Sequence, residues 1–131
     1  MKIENIKFKA KRLDNGELVY GSLIRSTAGI KERAYIVDSF SSMSDYSVVG
    51  IDPSTVCQFT GMKDCEGKEI WEGDTVHDSY APLCIDNLYE VVYIEEEGTF
   101  AFKSLDKVDN YEPFVNLLEA YVVGNKFDKK K

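Results

Sequence analysis

The sequence is poor in the residues from which enzyme sites are most often assembled. Its 131 residues contain one histidine, His77, so any mechanism that needs an imidazole has only that residue to use. Three cysteines, Cys57, Cys65 and Cys84, form an odd set with no C-x-x-C pair, which indicates neither a disulfide framework nor a zinc ribbon. Their spacing relative to His77 fits no compact zinc finger, and it gives no sign that a thiol meets the imidazole as a nucleophile would. No run approaches the roughly 20 consecutive apolar residues of a membrane-spanning helix. The start, Met1-Lys2-Ile3-Glu4-Asn5, leads into charged alternation and not into the apolar core of a secretion signal. A reducing, cytoplasmic location is expected.

Positive charge is scarce in the second half. The net charge is −7, but residues 1–60 hold 8 basic and 7 acidic side chains, while residues 61–131 hold 8 and 16. The halves therefore carry about +1 and −8. Three of the later lysines are the terminal Lys129-Lys130-Lys131, read as a solvated tail. An acidic half repels phosphate backbones, which argues against nucleic acid as its ligand and leaves a basic protein partner open. What the chain has in quantity is apolar surface, 44% of residues with 12% aromatic, enough to build a real core.

That surface is patterned with a period of two. Ile6-Lys7-Phe8-Lys9-Ala10-Lys11 alternates strictly, placing Ile6, Phe8 and Ala10 on one face and three lysines on the other. With the turn signal Asp14-Asn15-Gly16 and the β-favouring Glu17–Ile24 it predicts an N-terminal hairpin. Ala34–Val37 reads as a third strand, Ser39 to Ser47 as a mobile serine-rich loop, and Tyr46–Val49 as renewed extended chain. Beyond a boundary near residue 60, Thr75–Tyr80, Tyr89–Ile94 and Thr99–Phe102 predict a meander, with Glu95-Glu96-Glu97-Gly98 as a hairpin tip. Glu112–Leu118 suggests a helical turn or two, and Glu119–Asn125 a closing strand. The expectation is a mainly β protein with little helix, made of an N-terminal region over 1–60 and a C-terminal region over 61–131.

The densest motif is Gln58–Val76, in which two turn signals, Asp64-Cys65-Glu66-Gly67 and Glu72-Gly73-Asp74, bracket a short run with buriable members. It reads as a tight β corner. Ile6–Ala10, Val56–Gly61 and Tyr121-Val122-Val123-Gly124-Asn125 stand in order around it. Together these landmarks resemble the YopX family, small proteins carried mainly by bacteriophages and prophages and without an established biochemical activity. The resemblance implies a mostly β fold with a C-terminal half similar to a small SH3-like barrel, and self-association. It supplies no catalytic residues. The sequence departs from the family pattern at Cys57 and Cys65, where a small or polar residue is expected, and in its lysine-rich ending after Asn125.

Several constellations invite a chemical reading and have a simpler one. Gly61 to Lys68 looks superficially like a P-loop, but its spacing is too long by one, Glu69 replaces the magnesium-binding hydroxyl, and no strand-to-helix context follows. Glu69, Glu72 and Asp74 are residues of the kind that pair as acid and base or bind magnesium, yet an aspartate in a tight turn also bonds its own backbone. His77 reads as a surface histidine on a strand. No catalytic, metal or cofactor residue is assigned, and the chain is read as a binding protein and not an enzyme. The candidate partner contacts are Trp71, Glu72, Glu95, Glu96 and Glu97, for an unidentified protein partner. The alternative is a nucleic-acid-associated accessory role on the Lys7-Lys9-Lys11-Arg12 face with Phe8 beside it, where the simpler reading is an outward lysine face that guards a strand.

Overall fold

Alternation and turn chemistry are enough to start the fold. In the computed structural model, which describes residues 2–26, 29, 32–78, 88–105, 111–112 and 120–127, β1 (Phe8–Lys11) pairs antiparallel with β2 (Leu18–Ser26) from Phe8↔Gly21 to Lys11↔Leu18. Gly16 takes φ 72° at the turn, and the Asn15 side chain accepts the Glu17 N–H at 2.9 Å. β3 (Arg33–Ser42), β4 (Asp45–Ile51) and β5 (Cys57–Lys63) extend the first sheet in the order β4-β3-β2-β1-β5, and β6 (Glu69–Trp71), beyond β5, is its sixth strand. The far end of β4 curls back onto β1: Leu13 N–H donates to the Gly50 carbonyl at 3.1 Å and Asp52 N–H to that of Lys11 at 2.9 Å. A 3-10 turn at Pro53–Thr55 follows, capped by the Asp52 carboxylate on Ser54 N–H, and Thr55 Oγ1 accepts the Lys11 N–H at 2.9 Å.

The core of this unit is Ala10, Val19, Ala34, Ile36, Val49 and Ile51, with Phe8, Leu23 and Val56 against it. Each large aliphatic buried here contributes on the order of 2 kcal/mol. Compact units span Met1–Phe59 and Thr60–Lys131, and β5 runs through the boundary.

In the second unit the end of β5 turns through Asp64–Lys68 into β6 (Glu69–Trp71), with Thr60 Oγ1 donating to the Ile70 carbonyl at 2.7 Å. The strands β7 (Asp74–Asp78), β8 (Leu88–Ile94), β9 (Thr99–Ser104), β10 (Tyr111–Glu112) and β11 (Ala120–Asn125) form an antiparallel sheet in the order β10-β9-β8-β7-β11. Ile70, Val76, Val91, Phe102 and Ala120 form its core, flanked by Tyr89, Phe100 and Val122.

The protein is mainly β, in two antiparallel sheets, as its alternation predicts. Three details differ from the reading of the sequence. The second sheet does not close into a barrel among the described residues, its edges being β10 and β11. The serine-rich stretch is no loop: it is the end of a β3–β4 hairpin with a turn at Met43-Ser44, because Phe40 pairs with Tyr46 and the small serines fit the pleat. Lys9 lies inside, 6% exposed, its ammonium 5.9 Å from the Tyr20 ring centre, whereas Ile6 lies before β1 and is exposed. The helical turn expected over Glu112–Leu118 lies, beyond Glu112, outside the described residues, as do Cys84 and the Lys129-Lys130-Lys131 tail. No helix among the described residues is long and apolar enough to cross a membrane.

Candidate functional site

The central corner is organised by two aspartates. In the first turn, Asp64 Oδ1 accepts N–H bonds from Glu66 at 2.9 Å and Lys68 at 2.8 Å, while Gly67, at φ 83°, lets its own N–H reach the Asp64 carbonyl at 3.0 Å. The other oxygen, Oδ2, accepts the Val122 N–H of β11 at 2.9 Å. Beside it Cys65 N–H donates to the Ala120 carbonyl at 3.2 Å. Burial pushes the Asp64 carboxyl up, but the N–H donors of Val122, Lys68 and Glu66, with the charge of Lys68, outweigh it and hold the group below the usual carboxylate range.

The second turn repeats the device. Asp74 is 3% exposed; its Oδ2 accepts the Trp71 N–H at 2.8 Å and its Oδ1 the Asn125 Nδ2–H at 2.7 Å. Asn125 also donates to the Glu72 carbonyl at 3.2 Å and accepts the Phe127 N–H at 2.9 Å. Gly73, at φ 85°, donates to the Val91 carbonyl of β8 at 2.8 Å and accepts the Lys126 N–H at 3.0 Å. Both turns of the motif are thus bolted to the closing signature Tyr121–Asn125. Replacing Asn125 with alanine is expected to cost about 2 kcal/mol, since it removes a close donor from a buried carboxylate; urea unfolding of the two proteins reads the difference.

This arrangement gives the motif's two aspartates structural uses. Asp74 is committed to backbone and amide donors and is not presented to a ligand alongside Glu69 and Glu72, which are half-buried. Gly67 serves the turn between β5 and β6 and Gly61 lies within β5 at φ 85°, with none of the helix a P-loop requires. Among the described residues no three His, Cys, Asp or Glu side chains gather as a cage for a metal ion.

The candidate contact residues fall in two places. Trp71 is buried at 5% exposure, in the core-edge position that a tryptophan between turns can take, and Glu72 is half-buried at the second turn. Glu95, Glu96 and Glu97 are exposed at the β8–β9 tip, where Gly98 N–H returns to the Ile94 carbonyl at 2.8 Å. At its base Tyr93 meets Phe100 edge to face, 5.1 Å between ring centres, and stays 44% exposed.

His77 is half-buried, not on the surface: its ring lies 5.3 Å from that of Tyr121, directly opposite on β11, and Nδ1 is buried without a hydrogen-bond partner. Cys57 is buried with Sγ toward the Thr55 carbonyl, and Cys65 is exposed. On the basic strand, Lys7 sits 4.7 Å over the Phe59 ring and Arg12 holds Asp14 through two nitrogens at 2.9 and 2.8 Å. An open cleft of about 480 Å³ in the first unit is lined by Leu13, Arg33, Tyr35, Gly50 and Pro53 among others, none of them singled out by the sequence.

The fold and the corner define a mainly β protein of two antiparallel sheets, with a motif whose carboxylates are used to build it. The chain matches the YopX protein family over residues 7–130, nearly its whole length, and belongs to that family. No curated protein matches it.

Proposed function

We propose that the protein is a phage- or prophage-encoded accessory protein of the bacterial cytoplasm that acts by binding another protein and by associating with itself. The observation that carries this reading is the β8–β9 tip. Three consecutive carboxylates, Glu95, Glu96 and Glu97, are held in solvent on a tight turn, beside the exposed edge of Tyr93. A compact acidic knob with an aromatic foot suits a basic protein surface, through charge steering and one ring contact. The corner agrees with it: Asp64 and Asp74 are spent on structure, whereas the three carboxylates of the tip stand in solvent.

A tagged protein drawn from phage-infected or prophage-induced lysate, with and without nuclease, tests this. A specific protein that survives nuclease and is lost when Glu95, Glu96 and Glu97 are changed together to lysine is the expected result. Recovery that disappears with nuclease overturns it in favour of nucleic acid.

A further inference from the structure

The self-association in that reading has a surface suited to it. We infer that two copies of the chain join edge to edge through β4, antiparallel about a two-fold axis at Ser47. The proposal rests on the proposed self-association and assigns it to a site.

The β3–β4 hairpin outruns its neighbour. β2 pairs with β3 only from Arg33 to Val37, so Asp38–Ser42 of β3 have β4 alone beside them. A two-stranded ribbon is marginal in water without further strands or a covered face. This one leaves Phe40 60%, Met43 82%, Tyr46 55% and Val48 42% exposed, with Phe40 and Tyr46 stacked at 6.1 Å. Val49 and Ile51, which alternate with Val48 and Gly50, enter the core, so Tyr46 and Val48 share the outer face.

The backbone of β4 is available where pairing needs it. Gly50 presents its carbonyl away from β3, to Leu13 N–H, and the two-residue period turns the N–H and C=O groups of Val48 and Tyr46 the same way. An axis at Ser47 sets Tyr46 of each copy against Val48 of the other, closing four hydrogen bonds. The large ring then meets the small branched side chain in both halves, and the marginal ribbon becomes part of a four-stranded sheet.

The edge suits a second copy as the occupant. No lysine or arginine occurs from Ala34 to Met62, so the edge lacks the cations that commonly guard a strand, and the one charge on β4, Asp45, falls opposite Val49 of the other copy and not opposite its own counterpart. Residues 61–131 carry about −8 and repel their own kind, whereas residues 1–60 carry about +1 and allow approach. The exposed apolar groups and the strand edge bury roughly 1,000 Å² over two copies, the low end for a specific contact, so a dimer that forms in the micromolar range is expected.

Sedimentation of the full chain from about 1 to 200 µM tests this. The expected result is a shift from monomer to dimer mass, weakened at least about tenfold by Tyr46→Lys and abolished by Val48→Pro, which removes an N–H that points away from β3. Proline at such an edge position leaves the β3–β4 ladder whole; if that variant does not fold, Tyr46→Lys decides alone. A wild-type monomer at every concentration overturns both the self-association and its site. A dimer that persists in the variants overturns the β4 site and leaves self-association standing.

Discussion

Asp64→Ala is expected to lower the unfolding free energy by about 4 kcal/mol, a large share of what a domain of this size has to lose. The carboxylate binds three backbone N–H groups, of Glu66, Lys68 and Val122, at 2.8 to 2.9 Å. Bonds to an ionised acceptor are the strong ones, and their loss here strands donors both in the turn and on β11. Asp64→Asn keeps one acceptor oxygen but turns an amide N–H₂ toward the other donors, so roughly half the loss is expected. Urea unfolding at neutral pH measures both; a change below about 1 kcal/mol for alanine would show that the corner stands without its carboxylate.

The same group makes a pH prediction. Its pKa is lowered in the folded state, so the folded chain holds this proton less tightly than the unfolded chain. The stabilisation is therefore complete above the unfolded value, near about 4, and drains away as pH falls through the lower folded value. The gap between wild type and Asp64→Asn should be widest at neutral pH and narrow in that acid window.

Gly21→Ala is expected to cost about 3 kcal/mol or more, through overlap that the sheet cannot relieve. Gly21 sits in β2 opposite Phe8, and a Cβ there would overlap the carbonyl oxygen of Val37 on β3. Relief requires β2 to move off β3, which would unmake the pairing that buries Leu23 and Ile36. Gly16→Ala is the control: at φ 72° it has a positive dihedral but nothing within 4 Å of the added atom, so it should cost about 1 kcal/mol. Similar thermal shifts in the two variants would refute the steric account.

The parts of this fold that show in the sequence are local. The hairpin of β1 and β2 follows from alternation plus Asp14-Asn15-Gly16, and the β8–β9 tip from Glu95–Gly98, because in each the pairing partners are a few residues apart. Asp74 was legible as a turn residue that bonds backbone. Its Asn125 partner was not, since nothing in a linear pattern tells a turn which distant strand will answer it. Lys9 misleads because alternation marks a face and not what later covers it, and its ammonium comes to lie 5.9 Å from the centre of the Tyr20 ring opposite. The serines from Ser39 to Ser47 mislead in the other direction. Composition suggests a loop, and the cross-strand pair of Phe40 with Tyr46 overrides it.

The bonds from the corner to β11 span 58 residues from Asp64 to Val122 and 51 from Asp74 to Asn125. On the ribosome, the motif is therefore made long before the strand that completes it. Until that strand emerges, both carboxylates keep their water, and the nascent second unit cannot close around them. High contact order of this kind slows the folding step that closes the unit and postpones it until β11 has been made.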